Sequence, residues 1–197
     1  STGTEYKKLG VPGEKELAGR GVSYCAICDG AFFKKKNLAL VGGGDSSAIE
    51  ALILEDVAEK VHMFVRGDKL RAEPINLKKV MNSKKIEVHF NSSIAEIKGD
   101  KKVQSIVLKS GEEMPIDGVF IAIGHVALSA LAEKLGVALD EHKQIKIDRN
   151  SQTNISGVFA AGDVCDTSFK QAITGASEAV TASYFAYQYL QKTEIDF

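Results

Sequence analysis

An α/β fold is what this chain predicts, and three observations predict it. Leu38-Ala-Leu-Val41 is a short apolar run that opens directly into Gly42-Gly-Gly44. Residues 45–56 then carry Ala48, Ile49, Leu52 and Ile53, with Val57 just beyond, at helical spacing. A second apolar run, Val61-His-Met-Phe-Val65, follows that helix. A strand, a glycine turn, a helix and a return strand make a β-α-β unit, the kernel of a Rossmann-like three-layer nucleotide-binding domain.

The remaining elements follow in order. Residues 1–24 read mostly as loop, with a turn at Pro12-Gly13. Residues 74–82 read as a helix, because Pro74 sits where a first-turn N–H would go unused. Ile86–Val88, Ser93–Lys98, Val103–Lys109 and Val119–Ile123 read as strands, the middle two alternating as a hairpin closed near Gly99-Asp100. Residues 128–136 form a short helix. Gly157-Val-Phe-Ala-Ala161 reads as one more buried strand. Residues 171–190 read as a long helix that packs through Ala172, Ile173, Ala176, Ala179, Val180, Ser183 and Tyr187. That last strand and helix leave edges and faces to cover. The expected organisation is a junction over 1–8, a nucleotide-binding domain over 9–125, and over 126–197 the C-terminal part of a second domain whose other part precedes residue 1.

Composition narrows the function classes. At 197 residues and 44% hydrophobic, the chain can bury one large core or two small ones. Net charge is −1, which gives no case for nucleic acid or an anionic membrane. No apolar run reaches bilayer length. Three cysteines are too few for a disulfide framework, and two of them share a C-x-x-C, which fits a cytoplasmic redox role.

Cys25 and Cys28 are spaced so that their sulfurs reach one another across one tight turn. A thiolate at a helix start is stabilised, and exchange proceeds through a mixed disulfide. Half a zinc site is the competing reading. Zinc wants four ligands, no second C-x-x-C exists, Cys165 is alone, and His62, His89, His125 and His142 are scattered, so no metal is expected. Asp29 reads as an acid beside the pair or as a helix-capping carboxylate.

Gly42-x-Gly44-x-x-Ser47 fits the dinucleotide fingerprint with a small third residue. Gly42 permits the tight turn, Gly44 admits a pyrophosphate to the backbone, and Ser47 keeps helix and strand close. Amides at the helix start hold the phosphates. After the second strand, Arg66 and Arg71 suit a ribose 2′-phosphate, against the plainer reading of a solvated basic turn in which Asp68 pairs either arginine or marks an unmodified ribose. Gly162-Asp163 ends the run at 157–161, where ligands sit in open α/β sheets.

Several stretches together carry a resemblance: Gly21-Val-Ser-Tyr-Cys-Ala-Ile-Cys-Asp-Gly30, Val41-Gly-Gly-Gly-Asp-Ser-Ser-Ala-Ile-Glu-Ala51, Arg71-Ala-Glu73, Ile121-Ala-Ile-Gly-His125, and Gly157-Val-Phe-Ala-Ala-Gly-Asp163 with Gln171-Ala-Ile-Thr174. In order and spacing they resemble the low-molecular-weight thioredoxin reductase family of flavoproteins. The resemblance implies FAD and NADPH, with NADH as the alternative donor, and a nicotinamide domain inserted in an FAD domain. It implies that Cys28 faces the flavin, that Cys25 exchanges with thioredoxin or a similar redoxin, and that Asp29 assists proton transfer. It assigns Gly42, Gly43, Gly44, Asp45, Ser46, Ser47, Arg66, Arg71, Ile123, Gly124, Gly162, Asp163, Lys170, Gln171, Ala172 and Ile173 to cofactor contacts. Family members are usually homodimers.

Departures from the family pattern are as specific. The FAD domain's own glycine fingerprint is absent, which implies a missing N-terminal segment. The usual histidine and two adjacent arginines are replaced by Val65, Arg66 and Gly67, with only Arg71 completing the motif, and Lys170 stands where arginine is usual. The leading expectation is reduction of a protein disulfide from NADPH through FAD and the dithiol. The alternatives are a related flavin disulfide reductase with another donor or redoxin, and a non-catalytic nucleotide-binding fragment.

Overall fold

The structure is a computed structural model describing residues 1–193. In chain order the elements are β1 (Thr4–Tyr6), β2 (Val22–Ser23), α1 (Ala26–Asp29), a 3-10 turn (Gly30–Phe33), β3 (Asn37–Val41), α2 (Asp45–Glu55), β4 (Lys60–Phe64), α3 (Pro74–Asn82), β5 (Ile86–His89), β6 (Ile94–Gly99), β7 (Val103–Leu108), β8 (Glu113–Pro115), β9 (Gly118–Ile121), β10 (His125–Ala127), α4 (Ala130–Lys134) and α5 (Ala172–Thr193). They divide into two compact units, Lys7–Gly124 and residues 1–6 with residues 125 onward.

The first unit is built on a five-stranded parallel sheet in the order β2-β9-β3-β4-β5. Strand alternation divides its core in two. Leu38, Leu40, Val61 and Met63 meet Ala48, Ala51 and Leu54 of α2 and Val80 of α3 on one face. Ala39, Val41, Phe64, Val119 and Ile121 meet Ile97, Val103 and Ile106 of the β6-β7-β8 meander on the other. Helix layer, parallel sheet and antiparallel meander are the three layers. Pro115 is tolerated because β8 is an edge strand and lends no central ladder bond there. On α2 the buried stripe is Ser47, Ala48, Ala51 and Leu54, while Ile49 is exposed. Short side chains let that helix approach the sheet.

The second unit pairs β1 with β10 antiparallel and gathers Ala127, Val137, Ile145, Ala160, Val164 and Cys165 into a small core. One expectation fails here. The run at 157–161 is buried at Ala160 and Ala161 but is not a ladder strand. Only an isolated bridge, Gln152 to Phe159, touches it, and among the described residues no neighbouring strand extends the pairing. The expected packing face of α5 is uncovered within this chain. Ile173, Val180 and Tyr187 are 78%, 72% and 58% exposed. The covered stripe is instead Thr174, Gly175, Glu178, Ala182 and Phe185. Polar contacts hold that stripe. Glu178 accepts from the Gly162 amide (2.7 Å) and the Thr167 hydroxyl (2.5 Å). Gly175 passes so close that a Cβ there would lie 3.3 Å from the Gly162 Cα.

Candidate functional site

The dithiol sits where β2 turns into α1. Cys25 and Cys28 are joined as a disulfide with Cα atoms 5.3 Å apart. Cys25 is the N-cap of α1, and its sulfur accepts from the Cys28 amide at 3.2 Å. The loop is held by Ser23, whose hydroxyl donates to the Asp29 carboxylate (2.6 Å) and accepts from the Cys25 amide (3.2 Å). Asp29 is thus fixed beside the pair by a side-chain bond. Cys28 is exposed and Cys25 half-buried within this unit, so nothing in its local exposure singles out Cys25 as the exchanging sulfur. Cys165 is buried in the other unit, and burial pushes its thiol up to about 12, away from the thiolate form that exchange needs.

A carboxyl that the residue pattern did not single out lies under this loop. Glu50 of α2 accepts from the Ala26 amide at 3.3 Å, one residue past Cys25. Burial pushes its pKa up to about 7, against the smaller opposing effect of that amide. A carboxyl raised this way keeps its proton in the folded state where the unfolded chain, near 4.5, has already released it. Its contribution is full below that value and is lost as pH rises through about 7. Thermal midpoints measured from pH 4.5 to 8 should therefore fall more steeply in the wild type than in Glu50→Gln. Parallel curves would show that Glu50 ionises as an ordinary surface acid.

The glycine turn opens on a cavity of about 1080 Å³ lined by Gly42, Gly43, Gly44, Ser46, Ser47, Arg66, Arg71, Ile123 and Gly124. A Cβ on Gly42 would lie 2.5 Å from the Ala122 carbonyl oxygen and 2.6 Å from the Ser47 Cβ. A Cβ on Gly44 would meet nothing within 4 Å. The first glycine therefore serves packing, and the second leaves open space over backbone. The first intrahelical bond of α2 runs from the Ala48 amide to the Gly44 carbonyl, so the amides of residues 45–47 precede it. Asp45 does not line the cavity. Its carboxylate accepts from the Glu73 amide (2.8 Å) and Asn76 (2.9 Å), which hold its pKa down and tie the start of α3 to the turn. Lys7, Lys8, Lys69 and Lys109 add charge to the wall. An open glycine backbone, free-ended amides and a cationic rim fit a dinucleotide.

In the second unit Gly162, Asp163, Lys170, Gln171, Ala172 and Ile173 stand together at the start of α5. Lys170 donates to the carbonyls of Asp163 (2.8 Å) and Cys165 (2.6 Å), locking the turn. Nothing lies within 4 Å of where a Gly162 Cβ would be, and Ala172 and Ile173 are exposed. This open turn beside a helix start fits one edge of a larger ligand.

One expectation about the histidines fails. His62 and His89 are not scattered. Parallel pairing of β4 with β5 sets His62 beside Glu87 and Phe64 beside His89, so both rings and the Glu87 carboxylate share one face. Separation in sequence hid a cross-strand register. Burial, then His89, lowers the pKa of His62.

The profile of the pyridine nucleotide-disulphide oxidoreductases matches residues 1–180. The thioredoxin reductase of Listeria innocua is 45% identical over 198 residues, spanning 98% of this chain and 62% of its own length. That of Bacillus subtilis is 42% identical over 200 residues, spanning 98% and 63%. The crystal structure of thioredoxin reductase from Streptococcus pyogenes superposes with a TM-score of 0.88 at 37% identity, covering 96% of this chain and 64% of that one. The chain thus spans a little under two thirds of the length of these relatives. Among the described residues, no helix is long and apolar enough to cross a membrane.

Proposed function

We propose that this chain, which belongs to the pyridine nucleotide-disulphide oxidoreductase family and within it to the low-molecular-weight thioredoxin reductases, carries the dithiol and nucleotide site of an enzyme that reduces thioredoxin or a similar redoxin. The observation that carries the reading is the pairing, in one compact unit, of a closed Cys25–Cys28 disulfide with a cationic cavity over an open Gly44.

The α2 amides and Gly44 would hold the pyrophosphate, and Arg66 and Arg71 the adenosine ribose with its 2′-phosphate. Gly162, Asp163 and residues 170–173 would hold one edge of FAD. Bound flavin supplies two-electron transfer between the nicotinamide and the disulfide. Once the pair is reduced, the Cys25 thiolate attacks a partner disulfide and releases one partner thiolate. The Cys28 thiolate then attacks Cys25, releases the second partner thiolate and restores the Cys25–Cys28 bond. Asp29, fixed by Ser23, assists proton transfer at the pair. A cytoplasmic homodimer is the proposed setting.

The test is steady-state reduction of oxidised thioredoxin by the flavin-loaded protein with NADPH and with NADH, in wild type and Arg66→Ala. Losing one charge-assisted contact costs about 1.5 to 3 kcal/mol, roughly ten- to more than hundredfold in affinity. Arg66→Ala should raise KM for NADPH by that factor and leave NADH nearly unchanged. Gly67 offers no guanidinium, so the wild-type preference should be modest. Equal losses would remove Arg66 from the phosphate site. Turnover of another redoxin but not of thioredoxin would transfer the reading to that substrate.

A further inference from the structure

We propose that His62 Nδ1, His89 Nε2 and a Glu87 carboxylate oxygen form a three-donor site for a divalent transition-metal ion of zinc type, with its remaining positions filled by water. The two ring nitrogens face one another at 3.1 Å. Glu87 Oε2 lies 3.9 Å from His62 Nδ1 and Oε1 lies 3.7 Å from His89 Nε2, and one donor atom from each of the three residues falls within 4.8 Å of the others. Neighbouring donors on a tetrahedral zinc, with bonds of about 2.0 to 2.1 Å, stand roughly 3.4 Å apart. The imidazole pair is already near that spacing, and a small rotation of the exposed Glu87 side chain closes the other two edges.

Rigid elements hold the pair. His62 and His89 lie on hydrogen-bonded parallel strands. The His89 ring stacks on Phe64 at 4.8 Å and 13°, and on His62 at 5.3 Å and 28°. The His89 carbonyl accepts from the Val65 amide at 2.9 Å, which fixes its backbone. Both rings are half-buried while Glu87 is exposed, so an ion has an open approach and room for water. Two imidazoles and one carboxylate suit Zn²⁺, Ni²⁺ or Cu²⁺ and disfavour Mg²⁺ and Ca²⁺, which want oxygen shells. Lys60 now pairs with Glu87 and is the cation a metal would displace.

The site is distinct from the dithiol, and the test keeps it so. Zn²⁺ is titrated into the full chain with its Cys25–Cys28 disulfide closed and no affinity tag present, followed by calorimetry and by imidazole ¹⁵N resonances. One equivalent should bind. His62 Nδ1 and His89 Nε2 should shift while His125 and His142 stay in place, a readout in the unaltered protein that no folding defect can imitate. His62→Ala should weaken binding at least tenfold. Lys60→Met, which keeps all three donors, should strengthen it several-fold. Mg²⁺ should produce no resonance change. Unmoved His62 and His89 resonances at saturating Zn²⁺, or unchanged affinity in His62→Ala, would overturn the site. Weaker binding in Lys60→Met would remove Glu87 from it.

Discussion

Cys25→Ser in the flavin-loaded protein is expected to abolish turnover of a protein disulfide while nicotinamide-driven flavin reduction continues. Serine can neither form the mixed disulfide nor close the bond to Cys28, so the exchange cycle has no first step. The fold should tolerate the change well. Cys25 is the N-cap of α1 and accepts from the Cys28 amide through its sulfur. Serine is among the preferred N-cap residues and offers an oxygen to the same amide. Lost turnover with an unchanged thermal midpoint is therefore the expected pair of results. Because Cys28 is the more exposed residue of the two in its unit, the companion Cys28→Ser decides the order of attack. It should trap a stable mixed disulfide between Cys25 and the partner. Full turnover in Cys25→Ser, or a trapped adduct on Cys28 in that variant, would reverse the two roles.

Gly42 and Gly44, two positions apart in one turn, should fail in opposite ways. In Gly42→Ala the added Cβ meets the Ala122 carbonyl oxygen at 2.5 Å and the Ser47 Cβ at 2.6 Å, neither of which can swing aside. Crowding of this kind costs about 1 to 3 kcal/mol. For a chain of this size about 2 kcal/mol lowers the thermal midpoint by roughly 4 to 8 °C. In Gly44→Ala the Cβ meets nothing within 4 Å, and the backbone at that residue, φ −96°, suits alanine. Its midpoint should hold. The methyl group would instead enter the space proposed for pyrophosphate and is expected to reduce nucleotide affinity by more than tenfold. Thermal melts and nucleotide titrations on both variants separate packing from binding. Wild-type affinity in Gly44→Ala would remove the phosphates from this turn.

Local chemistry was legible where a residue's role is set by its chain neighbours. The run Leu38–Val41 into Gly42-Gly43-Gly44 fixed the strand, the turn and the start of α2. Pro74 marked the first position of α3. The spacing of Cys25 and Cys28 placed their sulfurs together, and alternation marked β6 and β7 as a hairpin. In each case the signal and its cause lie within a few residues, so periodicity, turn chemistry or bond geometry suffices.

What only the tertiary structure decided rests on contacts between distant residues. Apolar content marked Ile173, Val180 and Tyr187 as a packing face of α5, and the stripe covered within this chain is a different one, held by hydrogen bonds from Gly162 and Thr167 to Glu178. The run at 157–161 has the composition of a strand, but a strand exists only where a neighbour supplies its ladder. Glu50 carries no signal in the residue pattern, and the Ala26 amide and burial set its chemistry. His62 and His89 lie 27 residues apart and meet because β4 and β5 pair in one register. A sequence specifies such meetings only through the fold as a whole. Desolvation and cross-strand geometry, which have no local signature, then decide what the assembled side chains can do.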